Sequence, residues 1–329
     1  MKLIRKALQW LEGLYRVYSF QGGFHLEEQK LQQAYYRPEA PRKGRQKQQV
    51  VVMGDGRVTH GGLSDRIRGI ASIYDYCHSQ GIDFFIHYRY PFALEQYLEP
   101  ATVDWRISQE DLTFHPEEAV PVMLLCHLLP NKHHLKYLKR VLKKYPCHQI
   151  HIYTNTQFAD RRFKENFAAL FQAAPPLHAA VSAQIPPQGR FVAMVFRFQQ
   201  LLGDFKEGDY KILSSEARRQ LIECCIGKVA EIAEKKHPGS PVLITSDSVT
   251  FLETIAQRLP YVFTIPGKVV HMDYTLDANY ETYLKSFVDM LTLSHAEKIY
   301  LLKTGEMYKS GFAKRAAKVS NTAYEEIIF

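Results

Sequence analysis

The residues most able to do chemistry in this chain directly follow apolar, strand-like runs. Arg197 ends one such run, and the pair Ser246-Asp247 ends another. A guanidinium at a strand end can hold a pyrophosphate through two parallel hydrogen bonds, and the ordinary alternative is a surface ion pair. Asp247 could accept hydrogen bonds from a nucleotide base or ribose, although Ser and Asp are equally typical of a helix N-cap.

A glycine-containing turn follows the first strand-like run, Val50–Met53. Apolar positions at helical spacing begin just after Gly61-Gly62, which indicates a strand, a turn and a helix. Glycines let the backbone approach a ligand, and the N–H groups of a first helical turn favour an anion, so a phosphate or a sugar could bind here. The loop matches neither the dinucleotide fingerprint nor the P-loop. A tight turn capped by Asp55 or Ser64 is an equal alternative.

A third candidate segment, Ser310-Gly311-Phe312, begins the last helical pattern of the chain. The Ser310 hydroxyl and the helix N-terminus could together hold a phosphate. Ser310 could also be only a helix cap.

The candidate residues are positioned by predicted strands and helices that alternate along the chain. Strand-like runs alternate with helical patterns, which predicts crossover connections, a mostly parallel sheet and helices on both faces. Ligands bind beyond the carboxyl ends of the strands in such sheets, where the candidate residues lie. The predicted strands are Val50–Met53, Asp83–Tyr88, Pro121–Cys126, Gln149–Tyr153, Phe191–Arg197, Val242–Ser246, Tyr261–Ile265 and Lys298–Leu302. The predicted helices are Ser64–Ser79, His133–Tyr145, Asp160–Gln172, Ser215–Lys236, Thr250–Arg258, Tyr280–Leu293 and Gly311–Val319.

The length of the chain predicts more than one domain. Its 329 residues exceed the usual size of one core, and the proline-rich stretch Gln172–Gly189 is the best boundary. The sequence therefore predicts a basic amphipathic segment and linker over 1–48, one α/β domain over 49–185 and a second over 186–329.

Cysteine usage and charge limit the class of protein. The five cysteines include no Cys-x-x-Cys, and one is necessarily unpaired, which favours free thiols in a reducing, cytoplasmic compartment. The net charge of +8 is compatible with an anionic donor, a polyanionic glycan or a lipid surface. Nucleic acid is not a predicted partner, because no reading module is recognisable. The spacing of Cys147, His148 and His151 matches no zinc site, so no metal is predicted.

The first residues of the chain form an amphipathic pattern. No apolar stretch approaches the roughly 20 residues that cross a bilayer, and residues 1–20 lack the features of a secretory signal. Their apolar residues fall on one side of a helix and their basic residues elsewhere. Such a helix can lie on an anionic membrane surface or dock on its own domain.

Together these segments resemble the superfamily of GDP-fucose-dependent fucosyltransferases, which groups α1,2- and α1,6-fucosyltransferases with protein O-fucosyltransferases. Gly62-Leu63-Ser64-Asp65-Arg66 matches their early Gly-Leu-x-Asp/Asn-Arg/Gln loop, and Arg197 to Asp204 approximates their His-x-Arg-x-x-Asp motif. Ser246-Asp247 matches a Thr/Ser-Asp strand end, and Phe287–Phe312 matches a late segment ending in a Ser-x-Phe turn. The resemblance extends over about residues 50–320.

The resemblance implies a GT-B architecture, in which two Rossmann-like domains face each other across a cleft. The acceptor would lie mainly on the N-terminal domain and the donor mainly on the C-terminal one. It implies that Arg197 binds the β-phosphate, Asp247 the guanosine part, and Ser310 with Phe312 the nucleotide or phosphate. The remaining predicted donor-binding residues are Gly61, Gly62, Arg66, Ser246 and Gly311.

The reaction implied by the resemblance is the transfer of fucose from GDP-fucose to a hydroxyl group of a glycan or lipid-linked glycan in surface polysaccharide synthesis. Transfer would invert the sugar and require neither a metal nor a cofactor besides the donor substrate. The chain agrees in having no Asp-x-Asp metal motif.

Two departures from the family pattern concern the chemistry. Val195 stands where the family has His, and Gln199–Leu202 lengthen the interval between Arg197 and Asp204. The donor could therefore be another nucleotide sugar, and the alternative function is a non-catalytic glycan-binding or assembly protein on a degenerate transferase scaffold.

Transfer to a hydroxyl needs a base, a carboxylate or an imidazole within hydrogen-bond reach, or a site so well oriented that no strong base is required. Asp204 is the first candidate for this role and Asp65 the second, and each has a structural alternative. Arg197 completes the predicted catalytic set, and His60 could also reach the cleft.

Overall fold

The apolar runs of both halves of the chain form parallel strands, as the sequence predicts. The computed structural model describes residues 2–18, 26–44, 47–158, 160–204, 211–267, 269–273 and 279–329. The chain divides into two units, of which the first comprises Met1–Leu94 and Glu99–Gln172, and the second Glu95–Leu98 and Ala173–Phe329.

Helices and strands alternate along most of the described chain. The helices are α1 (Lys2–Tyr18), α2 (Leu26–Gln33), α3 (Leu63–Gln80), α4 (Asn131–Lys144), α5 (Phe163–Leu170), α6 (Pro175–Ser182), α7 (Ser215–Lys236), α8 (Val249–Arg258), α9 (Tyr280–Ser294) and α10 (Phe312–Ser320). The strands are β1 (Gln49–Gly54), β2 (Asp83–Tyr88), β3 (Leu98–Pro100), β4 (Ala119–Leu124), β5 (Gln149–Thr154), β6 (Phe171–Ala173), β7 (Val192–Phe196), β8 (Val242–Ser246), β9 (Val262–Thr264), β10 (Lys298–Lys303) and β11 (Ala323–Ile328).

The first unit contains a four-stranded sheet in the order β2-β1-β5-β4. Its strand pairs are parallel, and Val52 of β1 lies opposite Ile86 on one side and Ile152 on the other. Val50 and Val51 are fully buried, because a strand covered on both faces needs apolar side chains in both directions. The carboxyl ends of all four strands therefore lie at one edge.

The second unit contains a five-stranded parallel sheet in the order β11-β10-β7-β8-β9. Strand β7 is central, and its five residues are buried. One face packs against α7 and α8, which contribute Cys225, Val229, Phe251 and Ile255 to the core. The predicted α/β class, with two parallel sheets, is confirmed.

All eight strands and seven helices predicted from sequence are present, with ends that differ by a few residues. Among the described residues, the unpredicted elements are α2, α6, β3, β6, β11 and a short 3-10 helix at Leu94–Gln96. Strands β3 and β6 have only three residues each and form a small two-stranded sheet.

The division between the units falls at residues 172 and 173, and the predicted domain boundary at 185 and 186 stays a prediction. The physical reason for this division is α6, which begins with Pro175 and packs against α9 of the second unit. Proline is compatible with the first turn of a helix, where its missing N–H has no intrahelical partner.

The described residues before β1 belong to the first unit, and the predicted N-terminal segment over 1–48 stays a prediction. Glu28 of α2 is fully buried and accepts hydrogen bonds from Met123 N at 2.5 Å and from the Tyr137 hydroxyl at 2.6 Å. Helix α1 is present as predicted and packs against α4. Within the described parts of the chain, every helix is too short or too polar to span a bilayer.

Candidate functional site

Arg197 and Asp247 are brought together by strand register. Phe196 at the end of β7 lies opposite Ser246 at the end of β8, so the residue that follows each strand reaches the same edge of the sheet. Arg197 Nη1 lies 3.1 Å from Asp247 Oδ2, and the two side chains are 18% and 1% exposed. The pair is a buried carboxylate beneath a guanidinium that still reaches solvent.

The Asp247 carboxylate also holds the backbone that follows Arg197. It accepts hydrogen bonds from Phe198 N at 2.9 Å and Gln199 N at 2.7 Å. Burial raises the pKa of Asp247, and the Arg197 guanidinium is the largest influence that lowers it. Asp247 therefore positions Arg197 and the turn beside it, a role that the sequence did not indicate; its predicted contact with guanosine stays a prediction.

The lengthened interval between Arg197 and Asp204 has a structural explanation. Gln199 adopts a left-handed conformation with φ of 55°, which is rare outside glycine and costs energy. The turn that results buries Leu201 and Leu202 in the core of the second unit. Two of the extra residues, Leu201 and Leu202, are thus part of the hydrophobic core. Arg197 and Asp204, at the two ends of the motif, both stay at the edge of the sheet.

Asp204, the first candidate for the base, lies at the N-terminus of α8. Its Oδ2 accepts hydrogen bonds from the Ser248 hydroxyl and from Thr250 N, both at 2.8 Å. Its Oδ1 is buried and has no hydrogen-bond partner within the described residues. Asp204 is therefore a helix-capping carboxylate with one oxygen outside the cap, and its catalytic role stays a prediction.

The segment after β10 reaches the same edge of the sheet. Tyr308 N donates a hydrogen bond to Arg197 O at 3.1 Å, which ties this segment to the end of β7. Ser310 Oγ accepts a hydrogen bond from Phe312 N at 3.2 Å, and Gly311 is the N-cap of α10, whose first turn contains no acidic residue. Positive charge from Arg197 and partial positive charge from a helix N-terminus are thus presented on one sheet edge.

The Ser246 hydroxyl forms hydrogen bonds with the two residues that follow it. Its hydroxyl accepts a hydrogen bond from Ser248 N at 3.1 Å and donates to Asp247 Oδ1 at 3.4 Å. Ser248 is the N-cap of α8 and accepts from Phe251 N at 3.1 Å. The Ser-Asp-Ser sequence therefore does act as a helix cap, with Asp247 turned toward Arg197.

The predicted loop of the first unit is held by its own arginine. Gly61 has φ of 86°, and its carbonyl accepts a hydrogen bond from Arg66 Nε at 2.7 Å. Arg66 is buried, and its Nη1 also donates to the Tyr88 hydroxyl. Gly62 is the N-cap of α3. Arg66 in this structure fixes the glycine turn, and donor binding by Gly61, Gly62 and Arg66 stays a prediction.

The remaining predicted residues of the first unit have identified neighbours. Asp65 Oδ1 lies 2.9 Å from Arg68 Nη2, and His60 Nδ1 lies 3.1 Å from the carbonyl oxygen of Thr154. The first unit thus contains Gly61, Gly62, Asp65 and Arg66, and the second unit contains Arg197, Asp204, Ser246, Asp247, Ser310, Gly311 and Phe312.

A polar cluster after β1 was not predicted as functional. Asp55 accepts a hydrogen bond from the Tyr153 hydroxyl at 2.9 Å and pairs with Arg57. The Arg57 guanidinium lies 5.1 Å from the Tyr35 ring centroid and 5.3 Å from that of Phe114. An Asp directly after a buried strand, followed two residues later by Arg, was the signal available in the sequence.

His151, one of the two histidines considered for metal binding, has other partners. His151 Nδ1 lies 2.5 Å from the Tyr35 hydroxyl, and its Nε2 lies 2.7 Å from Gln149 Oε1. Among the residues that the structure describes, no group of three or more His, Cys, Asp and Glu side chains is arranged to hold a metal ion.

The fold of the chain is similar to that of solved fucosyltransferases. NodZ α-1,6-fucosyltransferase soaked with GDP-fucose matches with a TM-score of 0.52 and 13% identity, over 83% of this chain and 93% of that one. NodZ co-crystallised with GDP matches at 0.51 and 14%, over 82% and 92%. The selenomethionine form of NodZ from Bradyrhizobium matches at 0.53 and 13%, over 82% and 91%.

At the level of sequence there is no comparable match. No protein-family model matches this chain, and no curated protein is significantly similar to it. Identity of 13 to 14% makes the likeness one of fold. The chain shares the fold of the α-1,6-fucosyltransferase NodZ.

Proposed function

We propose that this protein is a glycosyltransferase that moves fucose, or a related sugar, from GDP-fucose or a similar donor to a glycan hydroxyl. The observation that carries the proposal is Arg197, held by Asp247 at the sheet edge and tied to the segment that leads into α10. The fold supports the same donor class, because NodZ structures were obtained with GDP-fucose and with GDP.

The reaction is a single displacement with inversion. The acceptor hydroxyl attacks the anomeric carbon, the bond from that carbon to the β-phosphate oxygen breaks, and the electron pair stays on the diphosphate. Arg197 and the N–H groups of α10 stabilise the charge that develops there, which is the work a metal ion does in other transferases. Asp204, or Asp65 as second candidate, takes the proton of the hydroxyl.

Replacing Arg197 by Ala tests the proposal directly. Loss of a charge-assisted hydrogen bond to phosphate weakens binding of GDP and GDP-fucose by about 10- to 100-fold. Isothermal titration calorimetry measures this change. Arg190→Ala is the matched control, because Arg190 precedes the same strand at its other end and is 80% exposed beside Glu297. Absence of heat with every nucleotide and nucleotide sugar in the wild-type protein would contradict the proposal.

The identity of the donor follows from a comparison of nucleotide sugars by thermal unfolding. A ligand at about 100 times its dissociation constant stabilises the folded protein by roughly 2.7 kcal/mol. GDP-fucose is expected to give the largest rise in Tm. A larger rise with another nucleotide sugar would reassign the donor and leave the reaction class unchanged.

A second candidate is a non-catalytic glycan-binding or assembly protein. Val195 in place of the family's histidine and the buried insertion at Leu201-Leu202 favour it. Release of GDP from GDP-fucose in the presence of an acceptor glycan distinguishes the two, because any turnover above the Arg197→Ala background is incompatible with a scaffold role.

The proposed setting is surface polysaccharide synthesis at the cytoplasmic face of a membrane. The acceptor in this setting is a glycan or lipid-linked glycan, and residues 1–20 provide peripheral membrane contact. The free cysteines, the absence of Cys-x-x-Cys and the net charge of +8 support a reducing compartment and an anionic partner.

A further inference from the structure

Helix α1 exposes an unusual amount of apolar side chain. Its exposed apolar residues are Leu3 at 85%, Ile4 at 66%, Leu8 at 60%, Trp10 at 43%, Leu11 at 54% and Tyr15 at 64%. A helix at the surface of a folded protein normally turns its apolar stripe toward the core. The stripe of α1 is instead left open to solvent.

The contact between α1 and the rest of the first unit explains this orientation. Gly13 is buried, and a Cβ at this position would lie 2.9 Å from Leu128 O and 3.1 Å from Leu129 Cδ1. At about 100° per residue, Gly13 lies roughly 200° around the helix from Leu11, at the centre of the apolar stripe. The helix thus docks through its glycine side, and its apolar side faces outward.

Helix α4, against which α1 packs, adds positive charge. Its 14 residues include five lysines, one arginine and no acidic residue. Lys132, Lys136, Lys139 and Lys143 recur at helical spacing, so they form one stripe, and all four are exposed. The opposite side of the helix is buried, so the lysine stripe is a solvent-facing surface.

We propose that the apolar stripe of α1 and the lysine stripe of α4 together form a docking surface for a membrane leaflet that contains anionic phospholipids. Apolar side chains enter the acyl boundary, Trp10 lies at the interface, and the lysines contact phosphate headgroups. A second copy of the chain fits less well, because two copies would bring lysine stripes of the same sign together. The inference rests on the proposed membrane location and is independent of the transfer reaction.

Co-sedimentation with vesicles tests this surface. The full chain is mixed with vesicles of phosphatidylcholine alone or of an equal mixture with phosphatidylglycerol. We expect binding to the anionic vesicles that weakens as salt is raised. Leu8→Glu weakens it by about tenfold through lost apolar insertion. The double variant Lys132→Glu with Lys143→Glu weakens it at least as strongly, at about fivefold for each lost charge.

Matched controls separate these effects from general changes in charge or hydropathy. Ile328→Glu removes an apolar residue that is 72% exposed on β11, and Arg161→Glu with Lys164→Glu reverses two exposed charges at α5. Both controls are expected to bind like the wild type. Melting of each variant with GDP-fucose shows separately that the second unit is intact.

Three results would overturn the inference. The first is equal binding to neutral and anionic vesicles, or none to either. The second is loss of binding in the controls to the same extent as in the α1 and α4 variants. The third is a dimer in sedimentation velocity that Leu8→Glu dissociates, because the apolar stripe would then be covered by a second copy. Each leaves nucleotide-sugar binding by the second unit untouched.

Discussion

Asp247 shows how far a single residue of the site can be predicted. Its place at a strand end follows from the apolar run before it, and so does its nearness to Arg197 once the two strands are neighbours. Its hydrogen bonds to Phe198 N and Gln199 N do not follow, because they depend on the path of the turn after Arg197, in which Gln199 is left-handed. A non-glycine residue gives no local signal of that conformation.

Asp247→Asn measures the positioning role. The variant loses the ion pair with Arg197 and one acceptor for the turn, so the free energy of unfolding falls by about 2–4 kcal/mol. Nucleotide binding weakens with it, because Arg197 is no longer held. Urea unfolding and calorimetry measure the two effects. Asp104→Asn, at an exposed ion pair with Arg106, changes stability by less than about 0.5 kcal/mol. Unchanged stability in the Asp247 variant would refute this role.

The buried imidazole of His134 is expected to make the free energy of unfolding depend on pH. It is fully buried, its Nδ1 bonds with Thr156 Oγ1, and burial lowers its pKa to about 4. In the unfolded chain, His134 takes up a proton near its ordinary pKa of about 6.5. The contribution of the neutral, buried imidazole to the free energy of unfolding is therefore complete above that pH and is lost as the pH falls toward 4. The loss amounts to roughly 3 kcal/mol.

Denaturant unfolding between pH 7 and 4 measures the slope that His134 contributes. His134→Gln is expected to flatten it, and the exposed His78→Gln serves as the control. An unchanged slope in the His134 variant would assign the pH dependence to other groups.

At the scale of elements, the central strands and long helices are predictable and the peripheral ones are not. Strands β1 and β7 are continuous apolar runs. Such a run is typical of a strand that is buried on both faces of a parallel sheet. Strand β11 contains two adjacent glutamates, which its position at the edge of the sheet beside β10 tolerates. Helix α6 begins with two prolines, which read as a boundary although they are compatible with a first helical turn.

Helix α8 allows the two roles of Asp204 to be distinguished. Asn at this position keeps an oxygen that can accept from Ser248 and Thr250, so stability changes by less than about 1 kcal/mol, whereas Asp204→Ala loses about 1–2 kcal/mol. If Asp204 is the base, Asp204→Asn lowers the transfer rate at least 100-fold at unchanged nucleotide affinity. GDP release and calorimetry measure both quantities. A retained rate in the Asn variant would leave Asp204 as a cap only.

At the scale of the whole chain, one short segment belongs to a different unit from the residues around it. Glu95–Leu98 belong to the second unit although both flanking segments belong to the first. Within the second unit, the Tyr97 ring stacks on Tyr280 at 4.7 Å and on Phe287 at 4.3 Å between centroids. No pattern around residue 97 predicts this, because the partners lie far along the chain.

Tyr97→Ala tests how strongly this segment supports the second unit. Removal of a fully buried aromatic ring lowers the free energy of unfolding by about 3–5 kcal/mol. Tyr97→Phe removes only the hydrogen bond to the Tyr280 carbonyl, which is 2.6 Å long, and costs about 1 kcal/mol. Thermal unfolding with and without GDP measures the effect. A loss below 1 kcal/mol for the Ala variant would show that the segment is dispensable.

The stacking of Tyr97 also sets an order of events during synthesis on the ribosome. The acceptor of its hydroxyl lies 183 residues later, which at 5–20 residues per second is a delay of roughly 10–40 s. The nascent first half must therefore present this ring to water, or to a chaperone, until helix α9 emerges. A slow-translating stretch before residue 280 would lengthen that exposure, so the yield of folded protein should depend on the speed of elongation there.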